Sequence, residues 1–83
     1  MKTTTIKHYS TEEILFLIEA QLELPRNSLK AGDDLLELGA DSLDMIELVM
    51  ELEADLNIEI MDEHIVELKL NDTDNLIKYI QSL

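Results

Sequence analysis

The sequence predicts an all-α protein: a small four-helix bundle of three longer helices and one short helix, with a long loop between helices one and two. Three observations favour this fold. The chain has 83 residues, which is enough for one small domain, here residues 10–83. Apolar residues recur at helical spacing in three longer segments. A residue suited to capping a helix precedes each of them, namely Ser10, Asp41 and Asp72.

The first helix is predicted to follow Ser10 and to end near residue 22, after a flexible tail that covers residues 1–9. Ser10 and Glu13 have the spacing of a capping box, in which each side chain binds the backbone amide of the other residue. Phe16 falls on the other side of this helix, either at the edge of the core or in solvent. The apolar positions that share its core face are Ile14, Leu17, Ile18 and Leu22.

A long connection is predicted between the first two helices. Pro25 breaks the helical pattern, and the chain then continues through Gly32 to Gly39, where it can bend into the next helix. A loop of this length is uncommon in a compact domain unless it is anchored. We expect most of its leucines to pack inward, with a short helical turn near residues 34–38. These leucines are Leu24, Leu29, Leu35, Leu36 and Leu38.

The second helix is predicted from Ser42 to about Leu56, and its apolar residues form two stripes. At about 100° per residue, one stripe faces the core. It contains Met45, Leu48, Val49, Leu52 and Leu56. The second stripe consists of Leu43, Ile46 and Met50 and alternates with the acids Asp44, Glu47 and Glu51. Scattered surface hydrophobes are common, but we interpret this stripe as an apolar docking face ringed by acids.

Two more helices are predicted to complete the bundle. Asp62 is expected to cap a short third helix that contains Ile65 and Leu68, and Asp72 is expected to cap the last helix. The apolar positions of the last helix are Leu76, Ile77, Ile80 and Leu83, with Tyr79 at their margin. No internal repeat or second domain is visible.

The charge of the chain limits its partners. Nineteen acids against six Lys and Arg residues give a formal charge of -13, which disfavours DNA, RNA and anionic membranes. Between Lys30 and Lys69 the chain contains many acids and no Lys or Arg. Such a run can be a solvated, solubilising surface. We interpret it instead as a docking face for basic patches on other proteins.

Several other properties follow from composition. The absence of cysteine excludes disulfides and thiolate metal sites. No signal peptide is visible, and the apolar run from Ile14 to Ile18 is too short to span a membrane. We therefore expect a cytoplasmic protein, and we expect it to be a monomer.

The acids do not form a recognisable calcium site. An EF-hand loop with Gly39 at its sixth position is excluded, because Leu36 and Leu38 would stand where oxygen ligands are required. Loose binding of divalent cations to the acids is expected, and no specific metal site is assigned.

The candidate site is the start of the second helix. Asp41 as N-cap can accept hydrogen bonds from backbone amides, and Ser42 is then the first helical residue. Backbone donors and the helix dipole make this position favourable for a phosphate. A serine hydrolase is disfavoured, because the Gly-x-Ser-x-Gly elbow is absent and the two histidines fall in the tail (His8) and on the third helix (His64).

The segment Gly39-Ala40-Asp41-Ser42-Leu43-Asp44, followed by Ile46-Glu47-Leu48-Val49-Met50-Glu51-Leu52-Glu53, resembles the prosthetic-group site and second helix of acyl carrier proteins. The similarity extends from about Ser10 to about Tyr79. It implies that Ser42 carries 4′-phosphopantetheine through a phosphodiester, and that this arm bears acyl intermediates as thioesters in fatty-acid synthesis. The chain would then be no enzyme, but the substrate of a phosphopantetheinyl transferase. It departs from the family at Met61, where many carrier proteins have proline.

The resemblance also implies partners and their contacts. In this family the second helix is recognised by the phosphopantetheinyl transferase, by ketosynthases and by other acyl-processing enzymes with basic docking patches. The corresponding residues here are Asp41, Leu43, Asp44, Ile46, Glu47, Met50 and Glu51. Acyl chains in the family fold back between helices two and three. That pocket would here be lined by Leu48, Leu52, Ile60 and Ile65.

Two alternatives stay open at this point. Carriers of polyketide, aminoacyl or D-alanyl groups share the serine and the four-helix plan, and the second helix here looks more like that of a stand-alone fatty-acid carrier. An unmodified helical adaptor would also fit a helix with two apolar stripes. The adaptor gives no reason for an exposed Asp41-Ser42 pair at the helix start.

Overall fold

The computed structural model describes residues 9–83. In this part of the chain four helices follow one another: α1 (Thr11–Leu22), α2 (Ser42–Leu56), α3 (Asp62–Glu67) and α4 (Thr73–Gln81). No strand occurs within these residues. The predicted all-α fold, with three longer helices and one short helix, is confirmed. The predicted bounds of α2 are also confirmed.

Side-chain caps begin the three longer helices. The capping box of α1 is present: Ser10 Oγ accepts a hydrogen bond from the amide of Glu13 at 3.1 Å, and Glu13 Oε1 accepts one from the amide of Ser10 at 2.9 Å. Asp72 caps α4 by accepting bonds from two amides of its first turn. These short-range patterns were readable in the sequence because both partners lie within one helical turn.

The start of α3 differs from the prediction. The N-cap is Met61, which makes no side-chain cap bond, and Asp62 is the first helical residue. The assignment of Asp62 as a cap is therefore wrong. The physical reason is that the carbonyl of Met61 accepts the hydrogen bond from the amide of His64, at 2.9 Å, that closes the first turn. None of the six residues of α3 is fully buried.

The core lies between α1, α2 and α4. All five residues of the predicted core stripe of α2 are buried, from Met45 to Leu56. On α1, Ile14 and Ile18 are buried, whereas Leu17 and Leu22 are half-buried at the edge. On α4, the buried apolar residues are Leu76, Ile77 and Ile80. Leu83 lies beyond the end of that helix and is exposed.

The connection between α1 and α2 is anchored, as expected. Leu29 and Leu35 are buried and Leu24 packs against the core, but Leu36 and Leu38 are exposed. The expected helical turn is present, and it is closed by a bond from the amide of Leu38 to the carbonyl of Asp34. Successive residues of such a turn face different directions, so burial of Leu35 turns Leu36 outward.

Hydrogen bonds from distant residues hold this connection. The amide of Leu35 donates to the carbonyl of Asn71 at 2.8 Å, and the hydroxyl of Thr73 donates to the carbonyl of Asp33 at 2.9 Å. The amide of Asn27 donates to the carboxylate of Glu19 at 3.1 Å. These bonds fix the segment before α2 against both α1 and the start of α4, and thereby position the start of α2.

Tyr9, which belongs to the expected tail, is bound to the bundle. Its hydroxyl donates to the carbonyl of Leu56 at 2.6 Å, and its own carbonyl accepts a bond from the side chain of Gln81 at 3.0 Å. The rest of the expected tail, including His8, lies outside the described residues.

Candidate functional site

The candidate site is the first turn of α2. Asp41 has extended backbone and caps the helix, so Ser42 is its first residue, and the Ser42 side chain is exposed. Asp41 Oδ1 accepts a hydrogen bond from the amide of Asp44 at 2.9 Å, and Asp44 Oδ2 accepts one from the amide of Asp41 at 3.0 Å. This second capping box was not predicted, although the Asp41–Asp44 spacing carries its signal.

Gly39 adopts a backbone conformation that suits the bend before the site. Its φ is 109°, in the region that side chains with a Cβ rarely adopt. The amide of Ala40 then donates to the carbonyl of buried Leu35 at 3.1 Å. The chain therefore leaves the core at Leu35 and enters α2 with the serine pointing away from the buried face. The expectation that Gly39 allows this bend is confirmed.

Beside Ser42 there is a groove between the start of α2 and α3, with a volume of about 580 Å³. Its wall is largely apolar. The residues that line it include Ser42, Met45, Ile46, Ile65, Val66 and Lys69. An exposed hydroxyl thus lies at the edge of an apolar groove, and a molecule attached to Ser42 can reach that groove without unfolding the core.

The four predicted acyl-pocket residues are not all in this groove. Ile65 lines it, whereas Leu48, Leu52 and Ile60 are buried in the core and do not line it. Sequence reasoning missed Met45, which lies one helical turn after Ser42 and lines the groove instead. The i, i+3 spacing of these two residues is the signal that could have found it. The binding of an acyl chain at the four residues stays a prediction.

The second apolar stripe of α2 is exposed. Leu43 is 61% exposed, Ile46 48% and Met50 61%. Of the acids predicted as partner contacts, Asp41, Glu47 and Glu51 are exposed and Asp44 is half-buried. Six of the seven predicted partner contacts are therefore exposed, and the seventh, Asp44, is half-buried. Their use by a partner stays a prediction.

Further residues define what the site can do chemically. His64 Nδ1 lies 2.7 Å from the Tyr79 hydroxyl, and the two rings pack edge to face. This histidine is therefore half-buried and bonded to α4, not placed as a free general base. Within residues 9–83, no three His or acidic side chains are grouped so as to hold a metal ion. None of the helices described has the length and apolar character needed to cross a membrane.

The comparisons with known proteins agree with this geometry. Residues 12–80 match a family described as "Phosphopantetheine attachment site". The chain is 38% identical over 73 residues to a protein of Campylobacter hominis named "Acyl carrier protein", which covers 87% of this chain and 90% of that relative. It is also 38% identical over 72 residues to an "Acyl carrier protein" of Wolinella succinogenes, covering 86% and 92% of the two chains.

Proposed function

Because the chain belongs to the acyl carrier protein family, and is thus a carrier that uses 4′-phosphopantetheine and no enzyme, we propose that Ser42 is the residue to which this group is attached. The observation that carries the proposal is the exposed Ser42 hydroxyl at the first residue of α2. No buried contact has to break for a transferase to reach it. The capping box on either side fixes its backbone.

The residues around Ser42 fit the group. A serine hydroxyl can form the phosphodiester, and the positive end of the α2 dipole offsets part of the phosphate charge. When attached, the group supplies a thiol that holds acyl chains as thioesters. The chain has no cysteine to supply such a thiol itself. The protein itself presents the arm, covers part of the attached acyl chain and docks at successive enzymes.

We also propose that short acyl chains lie in the groove beside Ser42, against Met45 and Ile65. Longer chains would reach Leu48, Leu52 and Ile60 after α3 moves outward. The reason is that α3 has no fully buried residue, so moving it exposes little apolar surface. Chemical shifts that change first at Ile65, and at Leu52 only as the chain lengthens, would support this order.

As a family member, the chain interacts with a phosphopantetheinyl transferase and with acyl-processing enzymes. The finer proposal concerns the contact surface. Basic patches of the transferase and of ketosynthases would meet Glu47 and Glu51 while Ile46 and Met50 supply apolar contacts. Electrostatic attraction of this kind speeds association and weakens with salt. A cytoplasmic location and a monomeric state stay predictions.

The proposed pathway is fatty-acid synthesis. The support is the α2 sequence, which resembles that of stand-alone carriers, and the name shared by the two relatives. Loading of the purified holo protein by a malonyl transferase and elongation by a ketosynthase would support it. Loading by an aminoacyl or D-alanyl ligase instead would assign the carrier to a specialised pathway.

Attachment is tested by intact mass after co-expression with a phosphopantetheinyl transferase. The wild type should gain one prosthetic group, and Ser42→Ala should gain none. Ser28→Ala is the matched control, because Ser28 is also exposed but lies in the loop, where its hydroxyl binds the carbonyl of Pro25. Modification of Ser42→Ala at the wild-type level would contradict the assignment.

A further inference from the structure

The start of α2 favours a phosphate through its backbone and dipole, but the acidic side chains near Ser42 repel one. The chain between Lys30 and Lys69 contains no Lys or Arg, and Asp41 and Asp44 lie on either side of the serine. A phosphodiester on Ser42 would add a further negative charge at this point. The dipole of α2 offsets part of the repulsion, and a cationic side chain near the groove would offset more.

Lys69 is the one Lys or Arg among the residues that line the groove beside Ser42. Its side chain is exposed. Within residues 9–83, the only Lys or Arg paired with a carboxylate is Lys78, whose ammonium lies 3.0 Å from Asp74. The ammonium group of Lys69 is therefore not committed to a carboxylate in this part of the chain.

The backbone of Lys69 is fixed at the end of α3. Its φ is 51°, in the left-handed region, and its amide donates to the carbonyl of Val66 at 3.1 Å. Its carbonyl accepts a bond from the amide of Asp72 at 3.0 Å, and the next residue, Leu70, is fully buried. The backbone of Lys69 is thus fixed beside the groove. Its ammonium group forms no ion pair with a carboxylate of residues 9–83.

We propose that Lys69 binds the phosphodiester formed at Ser42 and holds the first part of the arm over the groove. The proposal rests on attachment at Ser42. A lysine contacts a phosphate as a charged hydrogen-bond donor. Because the contact is exposed, added salt weakens it. The arm would therefore rest against α3 and be released when a basic partner surface competes for the phosphate.

The test compares apo and holo forms of the wild type, Lys69→Gln and Lys78→Gln. Both substitutions remove one positive charge, so Lys78→Gln controls for the change in net charge. Intact mass first establishes whether the group is attached, which tests the Ser42 proposal by itself. The phosphorus NMR chemical shift of each holo protein is then followed as NaCl is raised from about 0.02 M to about 0.5 M. The difference in Tm between holo and apo forms is measured in parallel.

The phosphorus resonance of the wild type and of Lys78→Gln should move with salt towards the position seen in Lys69→Gln, which should itself change little. The holo-minus-apo difference in Tm should fall by roughly 2 °C in Lys69→Gln alone, the size expected for an exposed ion pair. Lys69→Arg keeps the positive charge, so its phosphorus shift and its holo-minus-apo difference in Tm should resemble those of the wild type.

Two outcomes would contradict the proposal. If the group is attached normally but the phosphorus resonance of Lys69→Gln is identical to that of the wild type, the Lys69 contact is overturned and attachment at Ser42 is not. Absence of added mass in the wild type would overturn both.

Discussion

Asp41 and Asp44 each accept a hydrogen bond from the other's backbone amide, and Ser42 lies between them. One oxygen of each carboxylate is thereby used to begin α2. Both acids are also among the residues that we propose as partner contacts. A substitution at either position therefore changes both the stability of the helix start and the charge offered to a partner, and variants are needed that separate these effects.

Asp41→Asn and Asp41→Ala separate capping from charge. Asparagine caps a helix about as well as aspartate, so Asp41→Asn should change the free energy of unfolding by only a few tenths of a kcal/mol, whereas Asp41→Ala should lower it by about 1 kcal/mol. Both variants lose the charge and should be modified more slowly by a phosphopantetheinyl transferase. Urea unfolding and initial rates measure the two properties. A wild-type rate for Asp41→Asn would show that charge at this position is not used.

Glu47→Gln tests whether the exposed acids of α2 attract partners. Removing this charge should lower the association rate with a basic partner enzyme several-fold at low ionic strength and make it less sensitive to salt. The dissociation rate should change less. The matched control is Glu12→Gln, since Glu12 is also an exposed acid but lies on α1. Stopped-flow association measured from about 0.05 M to about 0.5 M salt gives the comparison. Equal effects of both substitutions would indicate a response to net charge rather than a docking face.

Glu19→Ala should destabilise the domain more than the loss of a surface acid. The Glu19 side chain is only 4% exposed, and it accepts bonds from the amides of Asn27 and Leu29, at 3.1 and 2.9 Å. Leu29 is buried, so its amide would lose its partner, which costs about 1–3 kcal/mol. Urea unfolding measures this loss, with Glu51→Ala as an exposed control. A loss below about 0.5 kcal/mol would mean that water or a shifted loop replaces the carboxylate.

Millimolar magnesium should raise the melting temperature. The net charge of -13 makes the folded state repel itself, and divalent cations reduce this repulsion. The expected rise is about 4–8 °C, the shift that about 1 kcal/mol produces in a domain of this size. Because the described residues contain no preformed metal cluster, the rise should be gradual rather than complete at stoichiometric metal. The control is NaCl at the same ionic strength, and an unchanged melt in magnesium would contradict the prediction.

Much of the fold and of the candidate site could be predicted from the sequence, because the residues that determine them lie close together in the chain. Ser10 with Glu13, and Asp41 before Ser42, are capping patterns whose partners lie within one turn. The separation of buried Leu48 from exposed Ile46 follows from helical periodicity alone. Asp62 shows the limit of this reasoning, since an acid can cap a helix or begin its first turn with almost the same local sequence.

Glu19 shows a different limit. The negative end of the α1 dipole destabilises an acid in the last turns of that helix. The position of Glu19 therefore indicated that its carboxylate makes a compensating interaction elsewhere. Only the folded loop revealed which amides it binds, since those donors are eight and ten residues away.

Local spacing in the sequence was enough to predict the four helices, the capping residues of the three longer ones and the serine at the start of α2, because interactions between residues three or four positions apart decide them. Only the folded chain shows that Lys69 and Ser42 line the same groove, and that Ile60 is buried in the core. Those placements depend on how α3 packs beside α2. That packing arises from contacts between residues far apart in the chain, and no local pattern encodes it.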